Sequence, residues 1–417
     1  MTQAHSTRHG RAPSSAVVAW SAFATMFVIG TDTFLVAPLL PTLAEEFDVP
    51  AGVSGWMVSA YALGFAVFAL VAGPLSDGRD RRGVLLLGFA GFTVATALCA
   101  AAQGLWSMIL FRFLAGVCAA LVTPQIWASI PVLVAPDSTV RTMGVAGAGM
   151  SISQVVGVPV GGWLAAVSWH VPFLVVAGLS GIAWLLLFRV FPSVPSARAA
   201  GEDTGILGTY ARLFRSATFT WYLLGYLVYQ TGVFETFSFI GSWLHRDFGL
   251  GVGAVGASMA ALGAGMAATS LFGSRLIRRI GEHRTLRLVF VVLVVVYAGV
   301  PFAPNLGLAL TGLALASAML GLAYPVFMNM LLSRTTASRG TVSSLSTTAL
   351  YAGTTIGGLV GGVLLTEFDG FQGVAGFTVL ALLVAAAIFA AAGAFRAPEP
   401  VAAAARKSSA EADTTAV

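Results

Sequence analysis

Twelve apolar stretches, each close to the roughly 20 residues that a helix needs to cross a hydrocarbon core, fill most of this chain. They run over approximately 16–40, 52–75, 83–102, 105–134, 142–166, 168–191, 219–244, 249–274, 285–303, 306–332, 341–366 and 371–395. In lipid every backbone N–H and C=O must find a partner inside the protein, so stretches of this length are confined to helix. Composition agrees: 57% of residues are hydrophobic and 9% charged, where a soluble domain carries about 25% charged. The predicted fold class is an all-α membrane protein of twelve transmembrane helices.

The charges that remain fix a topology. With the N-terminus inside, every Lys and Arg except Arg112 and Arg246 falls in a tail, loop or helix end on the inner side. The positive-inside rule predicts a multi-pass protein of the inner (plasma) membrane with both termini cytoplasmic. The net charge of +5 then reports orientation, and no nucleic-acid partner is expected. No cleavable signal peptide is expected, because the first span is too long for a signal core. Cys99 and Cys118 both lie within spans and read as small packing residues. Neither a disulfide framework nor a metal spacing exists, and no cofactor is expected.

The chain divides into an N-terminal tail (1–15), six spans (16–191), a cytoplasmic linker (192–218), six spans (219–395) and a C-terminal tail (396–417). Within the linker, Ile206–Arg215 has the pattern of a short surface helix. The halves echo each other at an offset near 200 residues. Asp32-Thr33-Phe34 recurs as Glu235-Thr236-Phe237, Gly73 as Gly273, Pro124 as Pro325, and Val160-Gly161-Gly162 as Val360-Gly361-Gly362. Two pseudo-symmetric six-helix bundles are therefore predicted, and such repeats place a substrate site near the midplane between bundles that rock.

Only Asp32, Arg112 and Glu235 place a charge well inside a span. At about 2.5–3.5 kcal/mol or more per charge, an intramembrane ionisable residue is a functional candidate, with a structural ion pair as the alternative. A rise of about 1.5 Å per residue puts Asp32 and Arg112 at compatible depths near the outer boundary, and Glu235 at a depth similar to that of Asp32. A carboxyl removed from water favours its protonated form, and a nearby guanidinium favours the carboxylate. Asp32 between these influences can take a proton on one face and release it on the other. Arg112 stays charged and either tunes Asp32 or holds an anionic group. Glu235 either shares the proton work or meets a cationic substrate.

Several motifs resemble the major facilitator superfamily, in its twelve-helix drug:proton antiporter branch, over about residues 16–395. After span two, Gly73-Pro-Leu-Ser-Asp-Gly-Arg-Asp-Arg-Arg82 is similar to the family loop G-x-L-A-D-R-x-G-R-R/K. Gly78 and Asp80 replace the usual Arg and Gly. Span one ends in a P-x-x-P pattern at Pro38 and Pro41, and span four carries Arg112-x-x-x-Gly116. Span five holds Gly149 and then Gly157-Val-Pro159-Val-Gly161-Gly162, similar to the antiporter pattern G-P-x-x-G-G except that Val158 separates Gly from Pro. The resemblance implies a cytoplasmic gate at Gly73, Asp77, Arg81 and Arg82, with Asp77 reaching the opposite half. It implies a helix-packing motif at Gly157, Pro159, Gly161 and Gly162, where small residues let backbones approach. It also implies that spans one, four, seven and ten line a central cavity. Gln125, Trp127, Tyr226, Tyr229, Gln230, Phe237, Tyr324 and Asn329 fall on cavity-type helices as substrate candidates, with helix packing as the alternative for each.

These readings exclude some functions. The phosphate loop of an ATP-driven pump needs a Lys, and the chain's single Lys is Lys407 in the tail. The five histidines, His5, His9, His170, His245 and His283, lie in tails or near loops, so no enzyme is expected. The expected protein is a monomeric, proton-coupled exporter of a small apolar or zwitterionic molecule, a drug, antibiotic or metabolite. A proton-coupled importer or facilitator of a sugar or metabolite is the alternative, and a non-transporting sensor a third class.

Overall fold

The computed structural model describes residues 14–76, 80–193, 211, 213–333, 339–368 and 370–395. Asp77 and most of the expected surface helix at 206–215 lie outside the described residues.

Helices joined by short loops make up the described residues, and each expected span appears as a helix or a broken helix. These are α1 (Ser15–Glu46), α2 (Trp56–Ser76, after a short turn at Ala51–Ser54), α3 (Arg81–Ala100) and α4 (Leu105–Leu133). They continue as α5 (Pro136–Ile152, Ser153–Gly157 and Val158–Ala165 in series), α6 (His170–Val190), α7 (Ala217–Phe248) and α8 (Val252–Ile280). The last four are α9 (Glu282–Gly299), α10 (Leu306–Ser333), α11 (Arg339–Glu367) and α12 (Phe371–Ala391). Among the described residues ten helices are long and apolar enough to cross a membrane, with Val252–Met266 of α8 as a shorter apolar stretch. α7 is long enough at 32 residues, but it carries Gln230, Thr231, Glu235 and Thr236 in its middle.

Two elements depart from the sequence reading. α1 continues through Pro38 and Pro41 to Glu46, beyond the expected end at 40. Each proline removes one backbone bond, and a bundle can re-satisfy the freed groups. The helix stops where Phe47 N–H bonds Leu43 O and Asp48 turns to φ 50°. α5 is not a continuous helix, because Ser153–Gly157 widens into a π-helical turn just before Pro159. Pro159 has no N–H for the carbonyl four residues back, and the wider turn takes up that break.

Helix packing repeats with the sequence. In the first half α1 packs on α5, α2 on α4, α3 on α4 and α3 on α6; in the second half α7 packs on α11, α8 on α10, α9 on α10 and α9 on α12. The halves meet through α2 on α11, α5 on α8 and α1 on α7. Leu174, Leu179, Ile182, Leu185 and Leu186 on α6 stay exposed, as expected of a face turned to lipid.

The seam between halves is tight at the end of the molecule remote from the chain termini. A methyl group on Gly52 would lie 2.2 Å from Gly362 O, and one on Gly55 2.7 Å from Gly358 O. Ser59 Oγ donates to Thr355 O at 3.1 Å, Phe65 stacks on Tyr351 at 3.9 Å, and Phe34 meets Phe237 edge-on at 5.7 Å. Backbones this close need residues without side chains, so this end is sealed.

Candidate functional site: a buried ion pair and its unpaired twin

Asp32 and Arg112 are both fully buried and meet at 2.8 Å, Arg112 Nη1 to Asp32 Oδ2. Arg112 Nη1 also donates to Asp32 O at 3.3 Å, and Nε to Met57 O at 3.4 Å. Thr96 Oγ1 donates to Asp32 Oδ1 at 3.5 Å. The guanidinium carbon lies 4.4 Å over the centre of the Tyr61 ring, a favourable place for a desolvated cation. Arg112 Nη2 has no partner among the described residues. The cation thus joins α1, α2 and α4 while one donor stays unspent. Glycines set this geometry: a methyl group on Gly116 would lie 2.0 Å from Tyr61 O, and one on Gly64 2.3 Å from Phe113 O. α2 and α4 touch backbone to backbone, which holds Tyr61 against Arg112.

Glu235, also fully buried, has no cation within bonding distance among the described residues. Thr378 Oγ1 of α12 lies 2.7 Å from Glu235 Oε2 and 2.8 Å from Gly232 O, and it also bonds Thr236 Oγ1. Glu235 Oε1 has no partner among the described residues. A threonine hydroxyl has one hydrogen. If Thr378 gives it to the Gly232 carbonyl, the short contact to Oε2 needs a hydrogen from Glu235 itself. If Glu235 is a carboxylate, Thr378 gives its hydrogen to Oε2 and abandons Gly232 O. The site can therefore register a proton by moving one hydroxyl. α11 closes over it, since a methyl group on Gly361 would lie 2.7 Å from Glu235 Cγ.

The packing glycines of α5 work on two faces. Methyl groups on Gly157 and Gly161 would strike Thr31 Oγ1 at 2.4 Å and Leu35 Cδ1 at 2.1 Å, residues flanking Asp32 on α1. One on Gly162 would lie 3.0 Å from Gly256 Cα of α8, and Pro159 also borders Gly256.

Of the expected gate residues, Gly73 sits within α2 and Asp77 is outside the described residues. Arg81 begins α3 and is half-buried. Arg82 turns to α6, with its guanidinium 5.6 Å over Phe188 and Nη2 bonded to Phe188 O. Asp80, which stands where the family loop has Gly, caps α3 by accepting from Arg82 N at 3.0 Å, and it accepts from Ser193 Oγ at 2.8 Å.

Packing accounts for several of the cavity candidates. Tyr226 and Tyr229 are buried in an aromatic cluster, 5.3 and 4.7 Å from the Phe327 ring. Gln230 donates to Tyr226 Oη at 3.3 Å, and Asn329 donates to Glu282 Oε1 at 2.6 Å. Trp127 is half-buried against the core, and Phe237 lies in the seam with Phe34. Tyr324 is half exposed. Gln125 is fully buried, and neither amide atom has a partner among the described residues. Tyr61, Thr96 and Thr378 escaped the sequence reading; a lone tyrosine in an otherwise apolar second span was the available signal for Tyr61.

Two six-helix halves meeting at a seam, with buried ionisable groups beside it, have the architecture of a multi-span membrane protein. The Major Facilitator Superfamily model matches residues 22–352, and the chain belongs to that superfamily. It is 44% identical over 370 residues to the uncharacterized MFS-type transporter YceJ of Bacillus subtilis (strain 168), covering 89% of this chain and 95% of that one. The class G tetracycline resistance protein of Vibrio anguillarum is 37% identical over 173 residues, covering 40% of this chain and 44% of that protein. In three dimensions the chain is similar to a bacterial homolog of the human lysosomal transporter Spinster in an inward-facing, unoccupied conformation. The TM-score is 0.75 at 17% identity, covering 93% of this chain and 98% of that one. No catalytic family is indicated, and the superfamily consists of transporters rather than enzymes.

Proposed function

We propose that this transporter exports small apolar or zwitterionic molecules across the plasma membrane in exchange for protons, by alternating access. The observation that carries this reading is the fully buried Asp32–Arg112 pair at 2.8 Å, with one guanidinium donor unspent. A proton arriving at Asp32 removes the negative charge and leaves Arg112 as an uncompensated buried cation, a state that the protein can relieve by changing conformation. The positive-inside orientation would put the close glycine contacts of α2 and α11 on the outer side, where an exporter must open to release its cargo. Similarity to a tetracycline resistance protein supports a drug or metabolite as cargo. The energy source is the proton gradient.

Inverted membrane vesicles with an imposed gradient, acidic inside, test the proposal. Substrates drawn from a panel of antibiotics and metabolites should accumulate, and Asp32→Asn should abolish accumulation. Accumulation that needs the opposite gradient would identify an importer, and accumulation indifferent to any gradient a facilitator.

A further inference from the structure

We propose that Tyr61 is the positioning residue through which the charge state of the Asp32–Arg112 pair reaches the seam between the halves. The inference rests on the proton-coupling role of Asp32 given above.

Tyr61 touches both sides of the problem. One ring face carries the Arg112 guanidinium at 4.4 Å. The hydroxyl bonds Thr33 Oγ1 at 3.1 Å, beside Asp32 on α1. The ring also lies 6.5 Å from that of Tyr351 on α11, in the other half. Tyr351 stacks on Phe65, one turn along α2 from Tyr61, at 3.9 Å. From that stack the seam runs through Ser59 and Thr355 to the glycine contacts at Gly55 and Gly52. Tyr61 is 1% exposed and Tyr351 7%, so both rings are enclosed in close-packed surroundings that transmit a shift.

While Asp32 is charged, Nη1 of Arg112 is committed to its carboxylate. Protonation of Asp32 removes the charged partner and leaves the cation with the carbonyls of Asp32 and Met57 and the tyrosine ring, whose face attracts a desolvated guanidinium. The guanidinium then leans onto Tyr61, and Tyr61 presses on Tyr351. Among the described residues, the charged or titratable groups acting on or beside Asp32 are Arg112 on α4, Tyr61 on α2, Cys99 on α3 and Tyr351 on α11. Of these, Tyr61 alone joins the guanidinium to α11 by ring contact.

The test places spin labels at Trp56 on α2 and Val363 on α11, both exposed, and reads their separation against pH in nanodiscs. The wild-type protein should show a pH-dependent separation. Tyr61→Leu should lose it, and Tyr61→Phe, which keeps the ring, should recover it. In proteoliposomes Tyr61→Leu should reduce proton-driven accumulation by about ten-fold or more, with the conservative Phe variant restoring it, while exchange without a gradient persists. Tyr351→Leu, which leaves the ion pair intact, should lose the pH-dependent separation as well and keeps the test decisive if Tyr61→Leu does not fold. A Leu variant at either position with wild-type pH response, or a Tyr61→Phe variant as impaired as Leu, overturns the inference. If Asp32→Asn abolishes the pH response while Tyr61→Leu retains it, the inference fails alone. If Asp32→Asn retains the response, the proton-coupling reading fails with it.

Discussion

Replacing Asp32 with Asn probes the pair most directly, because Asn keeps the shape and one accepting oxygen but removes the charge. In the wild-type protein Arg112 has a carboxylate at 2.8 Å, two backbone carbonyls at 3.3 and 3.4 Å and one aromatic face. Without the carboxylate a buried cation remains, facing dipoles and a ring, with Nη2 still unpartnered. Breaking a buried pair by removing one partner costs about 3–5 kcal/mol. The retained Asn oxygen and the Tyr61 face put this case at the lower end, at about 3 kcal/mol. Adding Arg112→Met removes the stranded charge and should return stability to within about 1 kcal/mol of wild type, since apolar replacements of buried pairs are often neutral. Denaturant unfolding of the purified protein in micelles measures both. A double variant as unstable as the single one would refute the argument that the stranded cation is the source of the loss. Proton-driven accumulation should be absent from both variants, and its survival in the double variant would refute the coupling role of Asp32.

Other expectations follow from the same geometry. Glu235→Gln should remove the carbonyl-stretch band of a buried neutral carboxyl from pH-induced infrared difference spectra, and Thr378→Val should shift it; a spectrum unchanged by Glu235→Gln shows that Glu235 takes up no proton there. Gly116→Ala forces a methyl group to 2.0 Å from Tyr61 O and should cost about 1–3 kcal/mol as overpacking. Gly83→Ala, with nothing within 4 Å, serves as the neutral control. In a background without native cysteines, a Cys at Gly201 should be labelled only when the cytoplasmic face is accessible and one at Ala51 only from outside; swapped labelling reverses the orientation and the inferred direction. Asp77→Asn should slow transport more than it lowers membrane abundance, and wild-type rates at equal abundance would remove Asp77 from the gate.

The transmembrane pattern was legible because lipid imposes a repeat unit of about 20 residues and tolerates charge only at its ends. Helix ends were less legible where a local rule met a tertiary one. The apolar stretch of span one is expected to end near 40, between Pro38 and Pro41, yet the helix continues to Glu46. Glycine stripes signalled close approach without naming the partner: Gly157 and Gly161 face α1, whereas Gly162, the next residue, faces α8. Depth along a helix follows from counting residues, so the meeting of Asp32 with Arg112 was within reach. Rotation about the helix axis depends on packing, which is why Tyr61, Thr96 and Thr378 were not.

The repeat also explains why the two acids have different surroundings. Pro124 and Pro325 set an offset of 201 residues, which carries Arg112 onto Leu313, a buried leucine on α10. The second half therefore offers Glu235 no guanidinium from the corresponding helix. Its partner comes instead from α12, as a hydroxyl that can donate to the acid or accept from it. A carboxylate beside a fixed cation changes the local charge balance when it takes a proton. A carboxyl beside a threonine loses its own charge on taking a proton and turns a hydrogen bond round, but it strands no fixed cation. On this reading the first half senses the proton electrostatically, and Glu235 in the second half is a hydrogen-bonded latch between α7 and α12. With the proposed proton coupling at Asp32, the conformational drive would originate there, on the side of the seam where Tyr61 contacts Arg112 and borders Tyr351 of α11.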